Sequence, residues 1–435
     1  MALTGRTALL AALGSLVVGL LPGWHGVLAV ALPLLAAVLY DLARAAPVRT
    51  LRLERAGATS VRLGQDAEVQ LTVANPAARP LRAELRDAWP PSSWRPGTQF
   101  AAARHRLTVP AGERRRLTTV LSPTRRGDHL AVRVTVRSHG PLGLAARQGS
   151  HAVPWTLRVL PPFASRKHLP AKLARLRELD GRTTLLTRGE GTEFDSLRDY
   201  VPGDDVRSID WRATARQSTV AVRTWRPERD RHLLLVLDTG RTSAGRVGDA
   251  PRLDAAMDAA LLLTALASQA GDRVDLLAFD RTVRASVRGR TGGDMLPATV
   301  AAMTRLHPAL LETDMRAMSA AALAGAPRRS LIVLFTGLDR APVEAGLLPV
   351  LPQLTHRHTV LVAAVGDPRI AEMAGTRGTV PGVYEAAAAA QHAQEREHTT
   401  ARLRRFGVTV VEAPPEDLPP AVADAYLSLK ASGRL

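Results

Sequence analysis

Apolar and polar positions divide this chain into stretches with different rhythms. From Thr7 to Tyr40 there is no Asp, Glu, Lys or Arg. Two apolar runs, residues 7–21 and 27–40, flank Pro22-Gly23-Trp24-His25-Gly26. With the central residues and flanks included, each run approaches the roughly 17 residues of helix that a bilayer core requires. A Pro-Gly turn between two such runs predicts a transmembrane helical hairpin over residues 1–47, with Trp24 suited to the interface.

Over residues 48–160 the pattern becomes short period-2 alternation. Candidate strands are 61–63, 68–73, 81–85, 105–109, 115–121 and 132–136. Turn signals such as Asn75-Pro76, Pro110-Ala111-Gly112, Arg126-Gly127-Asp128 and Gly140-Pro141 separate them. This spacing predicts a small β-sandwich, with Trp89, Trp94 and Trp155 as core or sandwich-edge packing.

Residues 161–230 form a third segment, a basic amphipathic helix or linker at 165–180 followed by a dense charged-aromatic passage. Over residues 231–435 apolar strands alternate with helices. The strands are predicted at 232–237, 273–279, 282–287, 330–335, 359–365 and 408–411, and the helices at 253–270, 296–306, 315–323, 384–406 and 420–429. That rhythm predicts a doubly wound α/β domain on a mainly parallel sheet.

Charge orients the anchor. Arg6 precedes the first apolar run, and Arg44, Arg49, Arg52 and Arg55 follow the second, while the intervening turn carries no Lys or Arg. The positive-inside rule then predicts a multi-pass cell-membrane protein with its soluble body in the cytoplasm. The competing expectation is a signal peptide cut near Ala29-Val30-Ala31, which would make the chain an exported cell-envelope or adhesion module. The apolar run continues past Ala31 to Leu39, longer than the 7–15 residues or so of a signal h-region.

The formal net charge of +18 favours anionic lipid or acidic protein partners. Aromatics make up only 4% of residues, so the interleaved basic-aromatic patch of a nucleic-acid surface is not expected. The absence of cysteine excludes disulfides, thiolate catalysis and cysteine-ligated zinc. The sequence has no Gly-x-Ser-x-Gly elbow, Gly-Lys-Ser/Thr phosphate loop or His-Glu-x-x-His motif, so no enzymatic activity is expected.

The charged-aromatic passage interleaves carboxylates and arginines with Phe, Tyr and Trp: Glu193-Phe194, Leu197-Arg198-Asp199-Tyr200, Pro202-Gly203-Asp204, Arg207-Ser208-Ile209-Asp210-Trp211 and Ala215-Arg216. Arginine pairs bidentately with carboxylates and stacks on aromatics, so a rigid, largely non-helical segment is expected. Gly189 and Gly191 give only a fragment of a phosphate loop, because Phe194 stands where a third glycine would be. The passage is a candidate partner-recognition surface through Glu193, Phe194, Arg198, Tyr200, Gly203, Asp204, Arg207, Asp210, Trp211 and Arg216.

These motifs closely resemble the signature of the bacterial family called domain of unknown function 58. Val222-Arg223, Glu228-Arg229 and Pro141-Leu142-Gly143-Leu144 fit it too. Members of that family are typically encoded beside MoxR-type AAA+ ATPases. The resemblance therefore implies a scaffold or adaptor that works with such an ATPase in assembly or maturation of protein complexes.

Ligands of parallel sheets bind at the carboxyl ends of the strands. There, Asp238-Thr239-Gly240-Arg241-Thr242 resembles the metal-ion-dependent adhesion site of von Willebrand factor A domains. That site uses Asp-x-Ser-x-Ser, a Thr from a second loop and an Asp after a later strand, all oxygen ligands suited to magnesium. Asp238 and Thr242 are retained, and Thr313 fits the second-loop Thr. Gly240 removes one hydroxyl, Gly337 stands at the later Asp position, and Asp339 falls two residues beyond it. The expectation is a degenerate ion site at Asp238, Thr242 and Thr313, with no required cofactor and magnesium as the candidate ion. The alternative is that Asp238 and Thr242 cap the adjacent helix terminus.

Overall fold

The computed structural model describes residues 1–20, 23–98, 103–186, 193–202, 204–217, 219–226, 231–290, 292–326 and 328–435. The chain divides into two compact units, Met1–Leu160 and Pro161–Leu435.

The first unit opens with α1 (Gly5–Leu20) and α2 (Trp24–Arg44). Both follow the charge-free runs, and Gly23, at φ 116°, turns the chain into α2. The helices meet closely at Gly14, where a Cβ would run into Val30. Small residues at such a crossing let two apolar helices approach. α2 is long and apolar enough to cross a membrane. Leu9, Leu13, Leu16, Leu28, Leu32 and Leu35 stand exposed on the pair.

Among the described residues ten strands follow: β1 (Arg52–Gly57), β2 (Ser60–Arg62), β3 (Ala67–Ala74), β4 (Leu81–Ala88), β5 (Arg104–Val109), β6 (Arg114–Leu121), β7 (Gly127–Leu130), β8 (Arg133–His139), β9 (Ala145–His151) and β10 (Thr156–Leu160). The sheet β9-β8-β4-β5 is extended by Ala2–Leu3 on β9, and β1-β3-β6 and β2-β10-β7 form two more. Pairing is antiparallel except between β2 and β10. β3 and β4 bury alternate residues, as the period-2 reading requires. Leu71, Val73, Leu81, Leu85, Val109, Val134 and Val136 build one core. Trp89 and Trp94 join Val69, Leu121 and Leu157 in a second. A buried ion pair lies nearby, with Arg55 Nη2 2.6 Å from Asp87 Oδ1 and Trp89 Nε1 donating to Asp87 Oδ2 at 3.1 Å.

The base of the helix pair is stitched into these strands. Asp41, near the end of α2, is fully buried. Its carboxylate accepts backbone N–H bonds from Leu142 (2.8 Å), Leu144 (2.7 Å) and Ala145 (2.8 Å). Arg147 Nε donates to the Leu42 carbonyl at 2.9 Å, and Arg79 donates to that of Ala43. These bonds satisfy carbonyls that a helix end leaves without partners. From α1, Thr4 Oγ1 donates to Gly143 O at 2.7 Å, and Thr7 Oγ1 donates to Leu144 O.

The second unit begins with α3 (Leu169–Leu186) and a two-stranded antiparallel ribbon, β11 (Glu193–Asp199) and β12 (Ala221–Arg226), with α4 (Trp211–Gln217) between them. Its main sheet contains β13 (His232–Asp238), β14 (Arg273–Phe279), β15 (Val283–Val287), β16 (Leu331–Phe335), β17 (Thr359–Val365) and β18 (Thr409–Ala413). The order is β15-β14-β13-β16-β17-β18, parallel throughout except for the edge strand β15.

Helices α5 (Arg252–Gln269), α6 (Met295–Thr304), α7 (Met315–Gly325), α8 (Pro368–Gly375), α9 (Val380–Arg405) and α10 (Leu418–Ala431) accompany the sheet. α5 is buried nearly all round, because α10 packs on it opposite the sheet. The buried polar cluster of Asp272, Tyr426 and Lys430 ties α10 to the start of β14. Elements begin and end a few residues from the sequence expectation. α9, for example, starts at Val380 because Thr379 accepts from the Gly382 N–H as an N-cap.

Candidate functional site

The signature residues come together in the ribbon. Arg198 and Asp204 form a bidentate pair, Nη1–Oδ2 at 2.7 Å and Nη2–Oδ1 at 2.5 Å. The Val201 N–H also donates to Asp204 Oδ2, at 2.9 Å. The hydrogen bond from Arg198, then that from Val201, holds the Asp204 carboxyl below the usual carboxylate range. The same pairing raises the Arg198 guanidinium.

Asp210 is the second node. Its Oδ1 accepts the N–H groups of Arg212 and Ala213, both at 3.0 Å, at the start of α4. Its Oδ2 accepts from Arg223 Nε on β12 at 2.8 Å. The Ala213 N–H, then Arg223, lowers the Asp210 carboxyl. The Asp210 N–H donates to Ala221 O, and Thr214 Oγ1 accepts the Ala221 N–H at 3.0 Å, which closes α4 onto β12. Asp205 accepts the Arg207 N–H at 2.9 Å, and the Tyr200 N–H donates to Val220 O at 2.7 Å.

The carboxylates of this segment are therefore spent on wiring the ribbon. Its apolar and basic side chains are not. Trp211 is 67% exposed, and Val201 and Val206, earlier in the same segment, are exposed too. The side chains of Arg207, Arg212 and Arg216 are exposed as well. Glu193 and Phe194 enter as backbone positions of β11, with Phe194 in register with Trp225. Gly203, Gly189, Gly191, Glu228 and Arg229 lie outside the described residues.

The second candidate site lies where the strand order reverses. The chain leaves β13 for β14 on one side and returns to β16 on the other, so the carboxyl ends of β13 and β16 flank the crevice at which such sheets bind ligands. Asp238 ends β13 with 0% exposure. Its Oδ1 accepts from the Gly240 N–H (2.8 Å) and Thr313 Oγ1 (2.5 Å). Its Oδ2 accepts from Thr242 Oγ1 (2.7 Å) and Thr336 Oγ1 (2.6 Å). Asp238, Thr242 and Thr313 are thus brought together as the motif implies. Thr336 is a partner that the sequence reading did not name, although its place directly after an apolar strand was a usable signal.

The gaps in the ion motif are filled in specific ways. A Cβ at Gly240 would run into Thr313 Oγ1, so the second-loop hydroxyl occupies the space of the missing serine. Asp339 does fold back: its Oδ2 lies 2.8 Å from the point where a Gly337 Cβ would stand. That carboxylate faces Arg252 Nη1 at 3.3 Å and Arg396 Nη1 at 4.0 Å. Arg252 Nε, buried beside the same crevice, has no hydrogen-bond acceptor among the described residues.

This donor set does not fit magnesium. A carboxylate has about four acceptor sites, and Asp238 meets four donors. The Asp339 carboxylate is matched by guanidinium groups, which repel a cation. Among the described residues no group of three or more His, Cys, Asp or Glu side chains is placed to hold a metal ion.

Comparison with known proteins places this unit in a family. The chain is 30% identical over 191 residues to the uncharacterized protein Rv1480 of Mycobacterium tuberculosis, and equally to Mb1516 of Mycobacterium bovis. Each match covers 43% of this chain and 59% of the relative's length. It is 28% identical over 138 residues to the uncharacterized protein YeaD of Bacillus subtilis, covering 32% of this chain and 34% of that protein.

Among solved structures, the CARDB domain of the PF1109 protein from Pyrococcus furiosus matches 25% of this chain and 86% of its own. Identity there is 15% and the TM-score 0.19, too low to carry an argument. A β-glucosidase from Listeria innocua matches 25% of this chain and 16% of its own, at 16% identity and a TM-score of 0.14. Residues 196–404, which contain most of the ribbon and the Asp238 cluster, match the family described as "Protein of unknown function DUF58", and over that span the chain belongs to that family.

Proposed function

We propose that this protein is a non-catalytic, membrane-anchored scaffold or adaptor that holds another protein through the β11–α4–β12 ribbon. The observation that carries this reading is the division of labour within the signature. Asp204 and Asp210 are consumed internally, while Trp211, Val201, Val206, Arg207, Arg212 and Arg216 face solvent. Exposed tryptophan and arginine on a rigid frame are the side chains that most often carry protein–protein binding energy. The family resemblance supplies the candidate partner, a MoxR-type AAA+ ATPase. The strand order and the Asp238 cluster are consistent with a von Willebrand factor A-like body, and the strands of the first unit with a β-sandwich.

The anchor is read as a two-helix hairpin. The part of α2 before Asp41, residues 24–40, spans about 26 Å at 1.5 Å per residue, at the lower end of the roughly 17–25 residues that cross a bilayer core. Membership of Thr4 and Thr7 in the hydrogen-bonded base of the β-rich unit favours an anchor over a cleaved signal sequence. Cleavage would remove residues that the β-rich unit uses as partners. The charge bias then puts the body in the cytoplasm, whereas an exported module remains the reading that a protease test would restore.

Affinity capture of the tagged full chain from native membranes tests the proposal. It predicts a co-purifying AAA+ ATPase that is lost in Trp211→Ala and in Arg207→Glu. Equal capture by wild type and both variants would remove the ribbon as the interface. Digestion of the body by protease added outside intact cells would overturn the orientation.

A further inference from the structure

The Asp238 cluster has the outline of an ion site and the contents of something else. We propose that it is a cation-free lock, in which threonine hydroxyls and a backbone amide replace a bound metal and tie together the loops at the carboxyl end of the sheet.

Each loop contributes a donor to one carboxylate. The loop after β13 gives the Gly240 N–H and Thr242 Oγ1. The loop before α7 gives Thr313 Oγ1, and the end of β16 gives Thr336 Oγ1. Backbone bonds fix the same contact: the Arg241 N–H donates to Leu311 O at 2.9 Å, and the Ala309 N–H donates to Thr239 O at 2.7 Å. A metal performs this joining by collecting oxygen lone pairs around a positive charge. Here hydroxyl protons are collected around a negative one.

Glycine 240 is what permits the exchange. Any side chain there would occupy the position of the Thr313 hydroxyl, and the Leu311 carbonyl, 2.9 Å from the same point, limits escape. Arg252, 3.3 Å from Asp339, and the deeply buried Arg396, which pairs with Glu412 at 2.7 Å, balance the other carboxylates at this end of the sheet. Cation independence goes beyond the scaffold reading and does not need it. If the scaffold reading is also right, the partner is held without a bridging ion.

Two measurements on the detergent-solubilised full chain test the lock. The electron paramagnetic resonance signal of free Mn2+ should be undiminished by stoichiometric protein. A stoichiometric loss of signal, restored in Asp238→Asn, would overturn the proposal. The second measurement is thermal unfolding with and without chelator. Thr313→Val should lower the midpoint by about 2 °C, roughly what a loss near 1 kcal/mol gives in a domain of this size, equally in both conditions. Thr313→Ser, which keeps the hydroxyl, should stay near wild type. An unchanged midpoint in Thr313→Val, or a wild-type midpoint that chelator lowers, would sink the lock. Both readouts are blind to the ribbon and its partner, so their failure leaves the scaffold reading standing, and failure of partner capture leaves the lock standing.

Discussion

The Asp41 carboxylate receives the Leu144 N–H at 2.7 Å across 103 residues of sequence, joining the end of an apolar helix to a loop between two strands. Leu142 and Ala145 donate to the same side chain. The loop is the Pro141-Leu142-Gly143-Leu144 element, whose Leu142 and Leu144 amides are aimed at Asp41.

Removing that acceptor should therefore be costly. Asp41→Ala strands several buried N–H groups at once, each worth roughly 1–3 kcal/mol, so a loss of about 3 kcal/mol or more is expected for the first unit. Gly140→Ala should act in the same direction, because its Cβ would collide with the Asp41 carboxylate. Hydrogen exchange at β8 and β9 in detergent reads the effect, and wild-type protection in Asp41→Ala would refute it.

Asp210 and Trp211 are neighbours with opposite expected phenotypes. Asp210→Ala loses the cap of α4 and the Arg223 pair, and should raise amide exchange through α4 and β12. Trp211→Ala should leave exchange and unfolding midpoint within about 0.5 kcal/mol of wild type, as surface changes usually do. Only partner capture should suffer. A Trp211→Ala chain that unfolds early would show the indole to be structural.

Acid should weaken the first unit before it weakens the ribbon. Burial is the largest cause that pushes His129 and His105 below the ordinary histidine value. His129 sits between Ser93 Oγ at 2.7 Å and the Arg125 carbonyl at 2.9 Å. With folded pKa values below the unfolded value of about 6.5, stability is present above that pH and lost as pH falls through the folded values. The lowered Asp204 and Asp210 follow the same rule at lower pH, with order present above the unfolded carboxylate range and lost below it. Exchange measured from pH 7 to pH 5 should show β7 and β6 loosening while β12 holds. The reverse order would contradict this account.

The third node for mutation is buried in the second unit. Tyr426 OH donates to Asp272, and Lys430 Nζ lies 3.1 Å from Asp272 Oδ1. Burial raises the Asp272 carboxyl, with Lys430 as the chief opposing influence. Tyr426→Phe should cost about 1 kcal/mol. Lys430→Met, which leaves a buried carboxylate unpaired, should cost about 3 kcal/mol. Chemical denaturation orders the two, and equal losses would mean that Asp272 does not depend on the ammonium group.

Much of the architecture was legible in the hydrophobic pattern. The charge-free run became α1 and α2, and the apolar strands became the parallel sheet, because burial on both faces imposes continuous runs. Asp238, Thr242 and Thr313 were legible from the resemblance to the metal-ion-dependent adhesion site. What spacing could not show was their direction of bonding: that Thr313 fills the place of the absent serine, that Thr336 joins it, and that Asp339 turns back toward Arg252. Asp41 was missed for a related reason. A lone carboxylate after an apolar run reads as the edge of a helix, and its partners lie about a hundred residues away.

The ribbon gives the family fingerprint a different meaning. Because Asp204, Asp210, Arg198 and Arg223 bond one another and the local backbone, the motif spells out a bracket rather than a message. A bracket of this kind can be shared by proteins that carry different cargo. Specificity would then be written in the outward positions, Val201, Val206, Arg207 and Trp211, where a change alters what is held without bending the holder.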